Sequence, residues 1–291
     1  MKINQVGVIG AGQMGNGIAH VFALAGYQVL LHDSSFEAAF TGFQSIEKNM
    51  NILIDLEKLT IDEKKEALGR ISIKRRLPEL GESDLIIECA VENEEIKNSI
   101  FEEIQNYLGE DTLLTTNTSS ISITRLGAKT DRPERFMGFH FMNPVPQMKL
   151  VELVRGIATG DMIYEELKKV VKTLGKTHTS SEDFPGFIVN RILMPMINEA
   201  IYALYEGVGN VESIDKSMKL GANHPMGPLE LADFIGLDTC QSIMEVLHSG
   251  LGDTKYLPCP LLKKYVEAKW LGKKKMRGFY DYHFDPKQPT R

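Results

Sequence analysis

Gly10-Ala11-Gly12-Gln13-Met14-Gly15 follows the apolar run Val6–Ile9 directly and opens a stretch with helical character. A strand, a glycine turn and a helix start leave free backbone N–H groups and a positive helix end where a pyrophosphate can sit. Gly10 permits the tight turn, Gly12 lets phosphates approach the backbone, and Gly15 lets the helix pack close to the sheet. A second apolar run, Gln28–His32, ends in Asp33. A carboxylate there accepts hydrogen bonds from the ribose hydroxyls of NAD and repels the 2′-phosphate of NADP. These residues predict a dinucleotide-binding unit, with Gly10, Gly12, Gln13, Met14, Gly15 and Asp33 on the cofactor and NAD as that cofactor.

Further apolar runs at Asp84–Cys89, Thr112–Thr115 and Phe136–Phe139 alternate with helical stretches such as Ser35–Leu56 and Glu94–Leu108. This alternation predicts an α/β architecture: a Rossmann-type, mostly parallel sheet covered on both faces. The charged segment Glu47–Lys65 is expected as a helical excursion projecting from the sheet. Near Ser180–Gly186 breaker residues cluster, and strands all but vanish beyond them. We expect residues 1–182 to form the NAD-binding domain and 183–291 a small all-helical domain. Its helices are expected over Phe187–Glu206, Val211–Leu220, Leu229–His248 and Pro260–Lys269. In the first, Ile188, Ile192, Met196, Ile197, Ala200, Ala203 and Leu204 recur at three- and four-residue steps. Such a stripe suits burial against a second copy, hence a homodimer, as well as burial in its own core. The polar tail Phe284–Arg291 is expected to fray.

The formal net charge of −6 argues against nucleic acid or an acidic membrane surface as a partner. Cys89, Cys240 and Cys259 are far apart and odd in number, which suggests reduced thiols and no metal site, with Cys89 a buried filler. The first strand begins almost at Met1, leaving no room for a leader, and no apolar run approaches a membrane span. A cytoplasmic location is expected.

Three further segments carry chemistry: Asn117-Thr118-Ser119-Ser120, His140-Phe141-Met142-Asn143-Pro144-Val145-Pro146 with Met148–Glu152, and Pro185–Arg191. Hydride transfer to a bound NAD leaves a proton that a base must take, and histidine suits that role. His140 is the candidate. Glu152 follows across a proline-containing turn, so the two side chains can meet, and a carboxylate on the other ring nitrogen would orient the imidazole. Ser119 offers a hydroxyl to a substrate oxygen, although every member of the Asn117–Ser120 quartet also suits a helix cap. Asn190 is placed one turn into the long helix, where its amide can meet developing negative charge. Glu92 and Lys97 read by default as a helix-start acid and a solvated lysine.

Together with the glycine turn, these segments resemble the 3-hydroxyacyl-CoA dehydrogenase family. The likeness runs over nearly the whole chain, including Lys219–Ala222 and Pro225–Pro228. The resemblance implies reversible NAD-dependent oxidation of an (S)-3-hydroxyacyl-CoA, short chains such as 3-hydroxybutyryl-CoA included, with the acyl group in a cleft between the domains. It implies His140, Glu152, Ser119 and Asn190 as catalytic residues. Glu92 and Lys97 are then expected on the nicotinamide side, with Asn117, Ser119, Asn143 and Lys274 as further cofactor contacts. Ser119 and Asn190 would touch substrate, as would Lys48 and Asn49 on the CoA side. Three positions depart from the family pattern: Asn49 and Leu56 replace a usual serine and lysine, and Met276 stands where glycine is usual. A sugar-acid or hydroxy-acid dehydrogenase on the same scaffold, or a non-catalytic NAD-binding relative, stays open at this point.

Overall fold

The structure is a computed structural model describing residues 2–290. The chain divides into two compact units, one running to Phe184 and the other beginning at Pro185.

The first unit is built on β1 (Gln5–Ile9), α1 (Gln13–Leu24), β2 (Gln28–His32), α2 (Phe36–Asp55), α3 (Ile61–Gly69), β3 (Ile71–Lys74), β4 (Leu85–Glu88), α4 (Glu94–Ile104), β5 (Leu113–Thr116), α5 (Ile123–Gly127), β6 (Phe136–Phe141), β7 (Leu150–Arg155), α6 (Asp161–Thr173) and β8 (Thr177–Glu182). These strands form an eight-stranded sheet in the order β3-β2-β1-β4-β5-β6-β7-β8. All neighbours pair in parallel except β6 and β7. Val6, Val8, Val29, Leu31, Leu85 and Ile87 are fully buried, as parallel strands covered on both faces must be. The order reverses between β1 and β4, which opens a crevice at their carboxyl ends.

Several expectations change here. The segment over 47–65 carries the end of α2, close to the helical stretch expected over Ser35–Leu56, and the start of α3. The chain turns at Glu57, whose φ is 56°, and restarts as α3 behind a Thr60–Glu63 capping box. Ile46, Met50 and Ala67 are buried in the core with α1. β3 and β8 are strands that the pattern does not announce. Cys89 is half-buried against the core.

The second unit contains α7 (Val189–Tyr205), α8 (Val211–Gly221), α9 (Pro228–Ile235), α10 (Leu237–Leu251) and α11 (Pro260–Glu267), then β9 (Tyr280–Asp281) and β10 (Gln288–Pro289). α7 starts two residues later than expected because Phe187 has φ 51°. The stretch Leu229–His248 is two helices, split at Gly236 with φ 104°. In α7, Ile197, Ala200 and Ile201 are buried, whereas Ile192 is 68% exposed.

The tail does not fray over its described part. Gln288–Pro289 pairs antiparallel with Tyr280–Asp281, and Thr290 Oγ1 donates to the Gly278 and Phe279 carbonyls. Buried Asp233 anchors this segment by accepting from Phe279 N, Tyr280 N and the Tyr282 hydroxyl. Asp215, also buried, accepts from Leu229 N, Glu230 N and the Tyr280 hydroxyl. Arg291 lies outside the described residues. Among them, no helix is long and apolar enough to cross a membrane, and no His, Cys, Asp and Glu cluster could hold a metal ion.

Candidate active site

Because β1, β4, β5 and β6 run in parallel, the segments that follow them gather at one edge of the sheet. After β1, Gly10 adopts φ +96°, and a Cβ there would lie 2.6 Å from the Cys89 carbonyl oxygen. A Cβ on Gly15 would lie 1.7 Å from the Gly10 oxygen, so only glycine lets α1 start this close to the turn. A Cβ on Gly12, by contrast, would meet no protein atom within 4 Å. The α1 N-terminus has no side-chain cap, and its N–H groups remain suited to an anion. Asp33 closes the turn from the side, with Oδ2 accepting from Ala11 N at 2.7 Å and Oδ1 from the Ser34 hydroxyl at 3.1 Å. Thus one carboxylate both fixes the glycine turn and stands where a ribose binds in such folds. A dinucleotide fits this donor set: open backbone at Gly12 for phosphate, and an acid at the end of β2.

Gln13, on the first turn of α1, donates Nε2 to Asn143 Oδ1 at 3.1 Å, tying the glycine turn to the loop after β6. Met14 packs partly buried against the core. Asn117, just past β5, accepts from Phe141 N at 2.8 Å, so its side chain holds the end of β6.

His140 and Glu152 are directly opposed in the antiparallel β6·β7 register. Glu152 is fully buried and His140 nearly so. His140 Nδ1 lies 2.8 Å from Glu152 Oε2. An ionised carboxylate accepts only, so this contact places the proton of the neutral ring on Nδ1 and makes Nε2 the basic nitrogen.

The other acids at this edge are organised around Lys97. This lysine is 1% exposed, not solvated. Its Nζ donates to both oxygens of Glu88, at 2.8 and 2.9 Å, and lies 3.6 Å from Glu92 Oε2. Glu92 Oε1 in turn accepts from Ser119 N at 3.0 Å, Ser120 N at 3.1 Å and the Ser120 hydroxyl at 2.8 Å, and also from the Thr118 hydroxyl. Burial pushes the Glu92 carboxyl up, but Lys97 and these donors outweigh it and hold the group below its usual range. Glu88, wholly inside, is driven up by burial against the pull of Lys97. Ser119 and its neighbours do not cap α5; Ser122 does, accepting from Arg125 N.

The remaining candidates are on other elements. Lys48 and Asn49 are exposed on α2. Asn190 belongs to the second unit and is the second residue of α7, earlier in the helix than expected. Lys274, also in the second unit, pairs with Asp238 at 2.6 Å. Met276 carries φ 58°, so the turn keeps the left-handed conformation that glycine would supply. Glu88 escapes sequence reading; its signal is an acid ending an otherwise apolar strand.

The sheet order, glycine turn and Asp33 define an NAD-dependent oxidoreductase. The family model for the NAD-binding domain of 3-hydroxyacyl-CoA dehydrogenase matches residues 5–184, and the model for its C-terminal domain matches 186–282. The chain belongs to the 3-hydroxyacyl-CoA dehydrogenase family. It is 62% identical to a 3-hydroxybutyryl-CoA dehydrogenase of Bradyrhizobium diazoefficiens, over 99% of each chain. Against a probable 3-hydroxybutyryl-CoA dehydrogenase of Bacillus subtilis it is 54% identical, over 97% of this chain and 98% of the other. The crystal structure of (S)-3-hydroxybutyryl-CoA dehydrogenase from Ralstonia eutropha matches with a TM-score of 0.93 at 47% identity, covering 97% of this chain and 99% of that one.

Proposed function

We propose that the protein interconverts an (S)-3-hydroxyacyl-CoA, with 3-hydroxybutyryl-CoA as the leading candidate, and the corresponding 3-oxoacyl-CoA. The observation that carries this reading is the buried 2.8 Å contact between His140 and Glu152, on the strand whose end Asn117 grips. In the oxidative direction His140 Nε2 takes the proton of the C3 hydroxyl. Glu152 keeps the ring oriented and stabilises the imidazolium that forms. Ser119 donates a hydrogen bond to the same substrate oxygen, and the resemblance assigns Asn190 to the substrate as well. When bound, NAD supplies the acceptor for the hydride that leaves C3. Gly10–Gly15 and Asp33 hold its phosphates and ribose, with Glu92, Lys97, Asn117 and Asn143 toward the nicotinamide and Lys274 a further contact carried by the resemblance. Lys48 and Asn49 are assigned to CoA. In the reductive direction His140 returns the proton.

The relatives' names favour a CoA thioester over a free hydroxy acid. NADH consumption with acetoacetyl-CoA, compared with free 3-oxo acids, tests this directly. Saturable turnover of the thioester supports the reading, and turnover of the free acids alone refutes it. Substituting His140→Ala is expected to abolish turnover while NADH still binds. The 68% exposure of Ile192 supports a homodimer through the second unit; a monomer in sedimentation equilibrium would refute that part.

A further inference from the structure

Glu88 touches none of the groups assigned to substrate, yet both of its oxygens are engaged in hydrogen bonds. It is the last residue of β4 and lies opposite Thr116 of β5 in register. Its side chain is fully buried. Oε2 accepts from the Thr116 hydroxyl at 2.7 Å, and Oε1 from Ala90 N at 2.6 Å. Both oxygens take Lys97 Nζ. Neither the glycine turn nor the His140–Glu152 pair needs such a group for its own geometry.

Its effect runs through Lys97. One ammonium faces two carboxylates. Glu88 holds it in hydrogen-bond contact, and this leaves Glu92 Oε2 at 3.6 Å, beyond hydrogen-bond reach. Glu92 is therefore free to spend Oε1 on the Ser119–Ser120 backbone and on the Ser120 hydroxyl. Without the Glu88 charge the buried ammonium is left to the Ala90 carbonyl at 3.3 Å and to Glu92, and an unbalanced buried charge is costly. With Glu88 neutral, Lys97 would advance on Glu92, the Glu92 carboxylate would turn toward it, and the serine loop would lose its acceptor.

We infer that Glu88 is a positioning residue for Ser119, acting by holding Lys97 back from Glu92. This rests on the assignment of Ser119 to the substrate oxygen. Glu88→Gln keeps the side-chain shape and removes the charge. A merely structural residue would lower the folded fraction, so turnover is measured per NADH-binding site, titrated by NADH fluorescence. The decisive readout is a double-mutant cycle with Ser119→Ala, which reports whether two sites act through one another.

In the wild-type background Ser119→Ala should lower kcat by about a hundredfold, the scale of one lost transition-state donor. In the Glu88→Gln background, itself slowed to a similar degree, the same change should cost less than about threefold if the sites are coupled. Losses that multiply in full would overturn the role of Glu88 while leaving Ser119 in place. No loss from Ser119→Ala in the wild type would overturn both. Should Glu88→Gln fail to fold, Glu92→Ala removes the acceptor at the last link of the same chain, from a partly exposed position. There Ser119→Ala should again cost little, and an undiminished loss would overturn the inference.

Discussion

Glu152→Gln separates charge from shape at the proposed base. The glutamine is nearly isosteric in a fully buried position, so the sheet register between β6 and β7 should survive. What changes is the partner of His140 Nδ1, 2.8 Å away. Taking charge centres about 4 Å apart and an effective dielectric of about 20, the carboxylate stabilises an imidazolium by about 4 kcal/mol. At about 1.4 kcal/mol per decade this is a loss of about a thousandfold in kcat. The amide can also turn its N–H toward Nδ1, which would force the ring proton onto Nε2 and remove the base, adding to the loss. The assay is NADH consumption with saturating acetoacetyl-CoA, normalised to sites titrated by NADH fluorescence. NADH affinity should stay near wild type, because the glycine turn and Asp33 are untouched. A kcat within about fivefold of wild type, where the arithmetic calls for about a thousandfold, would refute the claim that Glu152 stabilises charge on His140.

Gly12→Ala and Gly15→Ala should part company: the first adds a methyl that meets no protein atom within 4 Å, the second one that lies 1.7 Å from the Gly10 oxygen. Gly12→Ala should keep the melting temperature and weaken NADH binding by about tenfold or more, blocking close backbone approach, whereas Gly15→Ala should lose both on calorimetry and fluorescence titration. Asp233 is raised from 3.8 to about 6, chiefly by burial with Asp215 adding repulsion. Its folded form thus holds a proton more tightly than its unfolded form, so its contribution to stability falls as pH rises from about 4 to 6, by about 3 kcal/mol in all. Urea unfolding followed by the single tryptophan, Trp270, should show this falling limb in the wild type and lose it in Asp233→Asn; an identical pH slope in the two would refute it. Met276→Gly relieves a left-handed φ of 58° and should stabilise the protein by up to about 1 kcal/mol, after the extra freedom of glycine in the unfolded chain is deducted; an unchanged or lower melting temperature would count against strain there.

How much of this was legible beforehand depends on how far each feature reaches along the chain. The glycine turn is legible because strand, turn, helix start and Asp33 all lie within the first βαβ unit, and each constrains the next. The meeting of His140 with Glu152 is legible because a proline-containing turn between two apolar runs makes a hairpin, and a hairpin brings equidistant residues face to face. β3 and β8 are hidden for the opposite reason. They are the sheet's edge strands, and Thr177–Glu182 is mostly polar, so neither shows the apolar run that marks an interior strand. The tail reads as loose because it pairs with Tyr280–Asp281, a strand that Asp233 of α9 holds from a distance in the sequence, and no local pattern announces a buried acid.

The same limit explains the lysine. On α4 alone, Lys97 reads as a solvated charge, and its burial is tolerable only because β4 ends in an acid and β5 supplies a hydroxyl to that acid. A buried charge must recruit its counter-charge from another element, so Glu152 can be read across a short hairpin while Glu88, whose partner lies on a separate helix, cannot. Glu88 is therefore where sequence patterns say least about this edge of the sheet, and its bonds to Lys97 and Thr116 are what the geometry adds.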